Sequence, residues 1–260
     1  MKRIQLFEFE DLPWFPSLLR RCMTNYLITL HSFLPTEEHV VELLIPLLLN
    51  NPEPTVIDLC SGSGGVIEEV VSTLRKEVNL TGLSTTLTDL YPNPDVAERI
   101  NRQSSFIHYR TEPTNAARVD PELIGVRTII CGLHHLPPET ARHVLFDAQE
   151  ANQPFLAYEI SNNPAPRLLW WVPIPFTALS VFFLTLWIRP LTWQQLLFTY
   201  LIPVLPVLIA WDGAVSNART YTADDLKELL EGMESEKYSW SIGELPGRGG
   251  KKIYIRGVPA

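Results

Sequence analysis

Residues 56–65 read Val-Ile-Asp-Leu-Cys-Ser-Gly-Ser-Gly-Gly. A β-branched run enters the acidic residue Asp58, a loop of small residues follows from Cys60 to Gly65, and an apolar run that suits a helix begins at Val66. This order predicts a buried strand, a tight turn and the first turn of a helix. Small residues in the turn allow a ligand to approach the backbone, and the unpaired N–H groups of the helix can meet ligand oxygens.

The glycine pattern of this loop narrows the choice of ligand. A dinucleotide-binding turn requires glycines in the order G-x-G-x-x-G; Gly62 and Gly64 supply the first two, but Ile67 occupies the third place. A Walker A loop requires Lys followed by Ser or Thr, and no such pair follows here. The stretch instead resembles motif I of the class I S-adenosylmethionine (SAM) methyltransferases, acidic-x-G-x-G-x-G, with Cys60 in place of the first glycine. The resemblance implies that Asp58 lies near the amino group of the methionine moiety; a structural glycine turn is the alternative.

Two further strand-like segments extend the resemblance. Residues 83–89 form a β-like run ending in Asp89, 31 residues after the first acidic residue, which is about one strand–helix–strand unit. The resemblance implies that Asp89, followed by Leu90, accepts hydrogen bonds from ribose hydroxyls; an ordinary loop aspartate is the alternative. Residues 106–109 read as a third strand, and Asn115-Ala116 stand where the family has an Asp-Ala pair near the adenine amino group. An asparagine carbonyl can also accept from that group.

The fourth strand-like segment ends in two histidines. Residues 128–136 read Thr-Ile-Ile-Cys-Gly-Leu-His-His-Leu and resemble motif IV of the family, where strand four often ends in a His-His-Leu-like turn. Neutral imidazole accepts a proton near pH ~7, so His134 and His135 are candidate general bases, with structural capping of the turn as the alternative. Glu159, within a fifth strand at residues 155–160, can orient an acceptor hydroxyl or bond a nearby backbone N–H.

The remaining segments complete one fold. A helix is expected from Thr140 to about Glu150, Thr222 is expected to cap the last helix with Asp225 at its third position, and residues 238–242 and 251–257 read as a final strand pair. This order matches the seven-stranded, Rossmann-like α/β sheet of the class I fold from about residue 50 to 258. The residues predicted to bind SAM are Asp58, Cys60, Ser61, Gly62, Gly64, Gly65, Asp89, Leu90, Asn115, Ala116, Cys131 and Gly132.

Composition limits the possible function classes. The chain has 260 residues, enough for one large domain with a substantial core. Its formal net charge of −8 argues against nonspecific nucleic-acid binding, which requires clustered Lys and Arg. The three cysteines have neither disulfide nor metal spacing, which favours a reducing compartment. No metal site is predicted, because the six histidines show no ligand pattern and His134 and His135 are adjacent.

An apolar stretch from Leu168 to Trp211 separates strand five from the last helix. Residues 168–188 and 190–211 contain no charged side chain, and Arg189 lies between them. As helices they would each span about 31–33 Å, close to the ~30 Å hydrocarbon layer of a bilayer, with tryptophans near their ends. We therefore expect a membrane hairpin that keeps the catalytic domain on the cytoplasmic side. The alternatives are a shallow re-entrant hairpin, and a buried lid or dimerisation arm in a soluble cytoplasmic enzyme.

These patterns divide the chain into four parts: an N-terminal helical cap at 1–50, a SAM-binding core at 51–160, the apolar insertion at 161–219, and the remainder of the core at 220–260. In this N-terminal part, Ser17 is expected to cap a helix that runs to about Phe33, and Thr36 is expected to start a second helix, Glu37 to Asn50. The cap either serves packing alone or brings Trp14, Arg20 or Tyr26 to the substrate pocket.

The predicted function is SAM-dependent methylation of an apolar or lipid-like small molecule, because elements after strand five commonly cover the substrate pocket in the resembled fold. Asp212 and Arg219, seven residues apart, are expected to form an ion pair, with substrate contact as the alternative. Two other classes remain open: a non-catalytic, membrane-associated assembly or regulatory protein with the SAM fold, and an oxidoreductase with a nicotinamide cofactor. The missing third glycine counts against the oxidoreductase. The sequence specifies neither the methyl-accepting atom nor the oligomeric state.

Overall fold

The computed structural model describes residues 1–49 and 54–260, and within them lies a seven-stranded sheet of order β3-β2-β1-β4-β5-β7-β6. The first five strands pair in parallel, and β7 is antiparallel to both β5 and β6. The predicted seven-stranded α/β fold is therefore confirmed, while the predicted boundary at residues 50 and 51 lies outside the described residues. The strands are β1 (Thr55–Asp58), β2 (Ser84–Leu87), β3 (Ile107–Tyr109), β4 (Val126–Ile130), β5 (Phe155–Glu159), β6 (Tyr238–Leu245) and β7 (Lys252–Pro259).

The strand order opens a crevice at the carboxyl edge of the sheet. From β1 the chain moves outward to β2 and β3, and then returns to add β4 on the other side of β1. Asp58, the last residue of β1, is level with Leu87 of β2 and with Thr128 of β4. Ligands bind open α/β sheets at such a reversal, because the loops that leave the two central strands diverge there.

Helices cover both faces of the sheet. Buried side chains of α2, α3 and α4, among them Leu44, Val70 and Ile100, pack against one face. Those of α5 and α9, among them Leu145 and Leu229, pack against the other. The helices are α1 (Ser17–Ser32), α2 (Thr36–Leu48), α3 (Gly65–Lys76), α4 (Pro94–Gln103), α5 (Pro138–Glu150), α6 (Pro173–Leu184), α7 (Trp193–Leu196, continued by a π-helical turn at Leu197–Leu201), α8 (Val204–Arg219) and α9 (Ala223–Leu230).

The first residues of two helices test the predicted caps. Thr222 caps α9 as predicted: its hydroxyl accepts from the N–H of Asp225 at 3.2 Å, and Asp225 Oδ2 accepts from the N–H of Thr222 at 3.0 Å. The predicted cap at Ser17 is wrong, because Ser17 is already the first residue of α1. Pro16, whose ring fixes φ near −60°, takes the cap position without a side-chain hydrogen bond.

The apolar insertion does not form two long helices. Its first half contains α6 between 3₁₀ turns at Arg167–Leu169 and Thr185–Trp187, and its second half contains α7, the π-helical turn and α8. The predicted hairpin of helices 21 and 22 residues long is therefore wrong. Proline accounts for much of the interruption, since Pro173 begins α6 and Pro203 precedes α8, and a proline lacks the N–H needed to continue a preceding helix.

The insertion has one buried side and one exposed side. Val181 of α6 and Leu205 and Ile209 of α8 are buried against Met23 and Tyr26 of α1. Within the described residues no single helix is long and apolar enough to cross a bilayer, although Trp193–Leu201 and Val204–Arg219 pass that test together as a pair bent by 86°. The exposed apolar face, as we call it below, consists of Leu168, Leu169, Trp171, Val172, Phe176, Leu179, Phe183, Leu186, Trp187, Leu191, Trp193, Leu196, Tyr200, Leu201, Ile202 and Val207.

Candidate functional site

The loop between β1 and α3 is held in shape by its own backbone and by strand neighbours. The Leu59 N–H donates to the carbonyl of Thr128 at 2.8 Å, and the Ser61 N–H donates to the carbonyl of Thr88 at 2.9 Å. Cys60 adopts φ +58°, a left-handed conformation that suits the glycine it replaces. The loop therefore keeps the backbone path of a glycine turn despite this substitution.

Two glycines of the loop are required for different reasons. Gly64 has φ +85°, and a Cβ there would lie 2.7 Å from Glu68 Oε1 and 3.0 Å from Ile100 Cδ1. Gly62 has φ +52° and nothing within 4 Å of the place where a Cβ would be. Gly64 thus allows the loop to pack on α3 and α4. Gly62 is exposed, and its N–H donates to Asp89 while its carbonyl accepts from the Tyr109 hydroxyl.

The two predicted carboxylates meet the loop from adjacent strands, but they are not equivalent. Asp58 is buried, and its oxygens accept from Ser61 Oγ at 2.6 Å and Thr128 Oγ1 at 2.5 Å. Burial raises the pKa of Asp58 to about 6, and the charge of Asp89 adds to the rise while the two hydroxyl donors oppose it. Asp89 is only partly buried and accepts from the N–H of Gly62 at 2.9 Å. Asp58 therefore fixes the loop from inside, and Asp89 faces its outer side.

The loop after β3 lies next to Asp89. The Thr114 N–H donates to the carbonyl of Asp89 at 2.8 Å, which brings Asn115 and Ala116 to the same edge as the glycine loop. Asn115 is exposed, and its Oδ1 accepts from the N–H of Ala117 at 2.9 Å. Leu90 is also exposed. These predicted cofactor residues share one edge of the sheet.

The end of β4 joins the same edge. Cys131, at φ +54°, donates its N–H to the carbonyl of Tyr158 at 2.7 Å. A Cβ on Gly132 would lie 3.7 Å from the Cβ of Cys60, so the loops after β1 and β4 touch. Burial raises the pKa of the Cys60 thiol to about 12 and that of Cys131 well above its ordinary value. Both thiols are therefore protonated at neutral pH and are poor nucleophiles.

The three predicted catalytic residues lie together in the turn after β4 and at the end of β5. His134 donates its backbone N–H to Glu159 Oε1 at 3.0 Å, and its Nδ1 lies 2.8 Å from Glu159 Oε2. Burial alone would raise the pKa of Glu159, but the charge and hydrogen bonds of His134 lower it below its ordinary value. The imidazole rings of His134 and His135 are in contact, with centroids 4.2 Å apart and planes tilted by 37°.

The N-terminal segment completes this cluster with residues that were not predicted. Asp11 Oδ1 lies 3.1 Å from His135 Nδ1, and Glu8 Oε2 lies 3.6 Å from the same atom. Arg219 Nη1 lies 2.9 Å from Glu8 Oε1 and 2.7 Å from Asp11 Oδ2. The alternation Phe7-Glu8-Phe9-Glu10 is the signal in the sequence that indicates a segment with one apolar and one acidic side.

The predicted ion pair between Asp212 and Arg219 is wrong. Asp212 Oδ1 accepts from the N–H of Phe9 at 2.8 Å, and its Oδ2 accepts from the N–H of Glu10 at 3.1 Å. Arg219 instead pairs with Glu8 and Asp11. Both residues of α8 therefore hold the N-terminal segment rather than each other.

Glu8, His134 and His135 also form a group that the sequence did not indicate. Their potential ligand atoms lie within 4.8 Å of one another, although adjacent histidines are a poor chelating pair by spacing alone. The Arg219 guanidinium already lies against Glu8 Oε1. Its positive charge opposes a cation at the same carboxylate.

The cap residues considered for the pocket have packing roles in the structure. Tyr26 is buried between α1 and α6, with its hydroxyl 3.3 Å from Ser180 Oγ. Arg20 donates to the carbonyls of Glu10 and Leu12 at 3.1 and 2.8 Å, and Trp14 is exposed. These contacts favour the packing interpretation of the cap.

No protein-family model and no curated protein matches the chain. Among solved structures, the plantazolicin methyltransferase BpumL in complex with SAH is similar, with a TM-score of 0.58 and 11% identity, over 97% of this chain and 94% of that chain. LepI in complex with SAM gives a TM-score of 0.49 at 13% identity, over 85% of this chain and 46% of that chain. The O-methyltransferase NcsB1 from neocarzinostatin biosynthesis also gives 0.49 at 13% identity, over 94% of this chain and 59% of that chain. At such low identity the likeness to BpumL concerns the fold and not the chemistry.

Proposed function

The chain has the class I methyltransferase fold, and on this premise we propose that it transfers a methyl group from SAM to an apolar, lipid-like small molecule. The observation that carries the proposal is the convergence of three loops, after β1, β2 and β3, around a glycine turn that is exposed to solvent at Gly62. BpumL, which is similar over nearly its whole length, was solved with the demethylated product of SAM bound.

The residues at this edge fit a nucleoside with a charged amino acid tail. Asp89 would accept from the ribose hydroxyls, the turn from Cys60 to Gly65 would contact the methionine moiety, and Asn115 would accept from the adenine amino group. Asp58, whose oxygens are already engaged by Ser61 and Thr128, would act mainly by fixing the turn. SAM supplies an electrophilic methyl group, so the chain must align the acceptor and exclude water.

The apolar insertion supports the class of acceptor. The run from Leu168 to Trp211 contains one charged side chain, Arg189. Its exposed apolar face includes Phe176, Leu179, Phe183 and Leu186, which recur at the three- and four-residue spacing of one helix side. A run of exposed apolar side chains on one helix side is typical of sites that bind a membrane or an apolar partner.

We therefore also propose that the exposed apolar face lies in the surface layer of a membrane and that the acceptor reaches the protein from there. Short helices with an apolar side lie in the interface rather than across the bilayer. Exposed Trp171, Trp187 and Trp193 have the amphipathic rings that favour this layer. A membrane attachment of this kind would keep the SAM site in the adjoining aqueous phase.

Calorimetry tests the cofactor. The wild-type protein should bind SAH with one-to-one stoichiometry and should not bind NAD. Asp89→Ala should weaken SAH binding by about tenfold or more, the loss expected for one charge-assisted hydrogen-bonding group. Asp95→Ala, at an exposed carboxylate in the first turn of α4, is the matched control and should bind as wild type does. Binding of NAD in place of SAH would identify an oxidoreductase instead.

A methylation assay tests the acceptor. Protein, SAM labelled in its methyl group and a total lipid extract are incubated together, and the label entering the organic phase is identified by mass. Transfer to a lipid-like product supports the proposal. SAH binding without transfer to any fraction would favour the non-catalytic assembly or regulatory protein, and a preference for small polar acceptors would contradict the apolar pocket.

Vesicle flotation tests the membrane face. Phe176→Ser combined with Phe183→Ser should reduce the fraction that floats with phospholipid vesicles, because two large apolar side chains are lost from the exposed apolar face. Ile124→Ser combined with Phe146→Ser, at exposed positions outside the insertion, is the matched control. Equal flotation of both double variants, or none by wild type, would refute attachment through this face.

A further inference from the structure

Two arginines, one in the N-terminal segment and one at the end of α8, hold the backbone of the histidine turn. Arg3, near the N-terminus, is buried and donates from Nη2 to the carbonyl of His134 at 2.8 Å. Arg219, at the end of α8, is also buried and donates from Nη2 to the carbonyl of His135 at 3.2 Å. Two buried guanidinium groups therefore fix two consecutive carbonyls, and with them the backbone from which both imidazole rings project.

The two imidazoles differ in what they can reach. The His134 side chain is 8% exposed and is held by Glu159 through both its backbone N–H and its Nδ1. The His135 side chain is 31% exposed, and its Nδ1 faces Asp11. A carboxylate at Nδ1 favours the tautomer with a proton on that nitrogen, which leaves Nε2 free to accept one. Of the two histidines, His135 is the one that combines this arrangement with a partly exposed side chain.

The carboxylates at His135 are themselves held firmly. Arg219 Nη1 bridges Glu8 and Asp11 at 2.9 and 2.7 Å. Burial alone would raise the pKa of Asp11, but His135 and Arg219 lower it below its ordinary value, so Asp11 is ionised at neutral pH. Within the described residues, several elements packed against His135 contribute titratable groups near its ring. These groups are Glu8, Glu10, Asp11, His134, Glu159, Asp212 and Arg219.

We propose that His135 is the proton acceptor of the reaction, and that Asp11, Glu8 and Arg219 are positioning residues that hold its ring. This inference rests on the proposed methyltransferase function and extends it to the chemistry of the acceptor. An acceptor that needs a base carries a proton on its attacking atom at neutral pH, which points to a hydroxyl group on an apolar molecule. His134 and Glu159, in contrast, join the ends of β4 and β5.

Methyl transfer to the acceptor hydroxyl is coupled to proton transfer to His135. The O–H bond of the acceptor breaks and its proton passes to Nε2 of His135. The oxygen electron pair forms the new bond to the methyl carbon, while the carbon–sulfur bond breaks and its electron pair stays on sulfur. The positive charge of the sulfonium is thus replaced by that of the imidazolium, which faces the Asp11 carboxylate, and the proton later leaves to water.

The first test separates proton transfer from binding. In the lipid-extract assay, His135→Gln should slow label transfer by about a hundredfold or more, the usual contribution of a positioned base, and should keep SAH affinity within about threefold of wild type. His143→Gln, at an exposed histidine of α5 outside the cluster, is the matched control and should change neither quantity.

The second test reads the ring directly. In ¹⁵N spectra of the histidine rings, wild-type His135 should have a protonated Nδ1 and an unprotonated Nε2. Asp11→Asn should weaken this preference and lower kcat by about tenfold with KM little changed, while Asp11→Glu should restore both. A purely structural role for Asp11 would alter stability and leave the tautomer of His135 as it is in wild type.

Three outcomes would overturn the inference. His135→Gln could transfer label at a rate near that of wild type, or wild-type His135 could carry its proton on Nε2. A third outcome is that wild type binds one Zn²⁺ ion, that Glu8→Gln abolishes this binding, and that a chelator stops methyl transfer by wild type. His135 would then be a metal ligand. If wild type does not bind SAH, both the proposed function and this inference are wrong. If wild type binds SAH and His135→Gln transfers label at an undiminished rate, only this inference is wrong.

Discussion

Replacing Glu8 with glutamine should stabilise the protein increasingly, relative to wild type, as the pH rises. The Glu8 side chain is 0% exposed, and within the described residues its carboxylate oxygens have no hydrogen bond, although Arg219 lies 2.9 Å away. Burial raises the pKa of Glu8 from 4.5 to about 7, against the lowering influence of His135 and Arg219. Desolvation of this carboxylate therefore outweighs its ion pair.

The magnitude follows from linkage between protonation and folding. An acid whose pKa is higher in the folded state binds more protons when folded, so its stabilising contribution is complete below the unfolded pKa and is lost as the pH rises to the folded pKa. The rise of the Glu8 pKa from 4.5 to about 7 corresponds to about 3.5 kcal/mol, at about 1.4 kcal/mol for each pKa unit, and about 3 kcal/mol of it is lost between pH ~4.5 and ~8. Glutamine is neutral throughout this range and does not incur the loss.

Urea unfolding of wild type and Glu8→Gln at pH ~4.5, ~6 and ~8 measures the effect. The free energy of unfolding of the variant minus that of wild type should increase by about 3 kcal/mol across the series. Glu244→Gln is the control: hydrogen bonds from Asn162 and Lys251 lower the pKa of Glu244, so its contribution is lost only below pH ~4.5 and the difference from wild type should stay nearly constant across the series. A difference that stays constant for Glu8→Gln, or that becomes more negative at high pH, would show that the Arg219 ion pair dominates and would refute the reasoning.

Three further predictions concern stability. Cys60→Gly should leave the Tm unchanged or raise it. Cys60 has a left-handed backbone at φ +58°, and relief of that strain, worth about 1–2 kcal/mol, offsets the greater freedom of glycine in the unfolded chain. A clear fall in the Tm on thermal unfolding would contradict this. Asp147→Ala should lower the free energy of unfolding in urea by about 3 kcal/mol or more. Arg127, 1% exposed, would lose the carboxylate that lies 2.6 Å from its Nη1. Adding Arg127→Met should recover most of the loss, and a double variant no more stable than Asp147→Ala would count against a charge effect. Thr222→Ala should cost about 1 kcal/mol because it removes the cap of α9, and an unchanged urea midpoint would contradict that role.

Local signals in the sequence were sufficient for the sheet and for the edge where the candidate site lies. The strand, small-residue loop and helix that begin at Val56 are specified by neighbouring residues, and so is the capping box of Thr222 and Asp225. Because parallel strands present their carboxyl ends at one edge, the order of strands then brings Asp89 and Asn115 to the glycine loop. Such features depend on spacings of a few residues or on topology rules, and both can be read along the chain.

Only the tertiary structure decided the charged cluster at the histidines and the shape of the insertion. Arg219 and Asp11 are 208 residues apart, and no spacing rule relates them. Asp212 is at a plausible distance from Arg219 along the chain, yet the N–H groups of Phe9 and Glu10 satisfy its carboxylate instead. The apolar insertion likewise has the length of two spanning helices but is broken where prolines and packing on α1 set its path. Hydropathy and spacing record what a segment prefers, whereas the partner that satisfies a buried charge is determined by which distant segments fold against it.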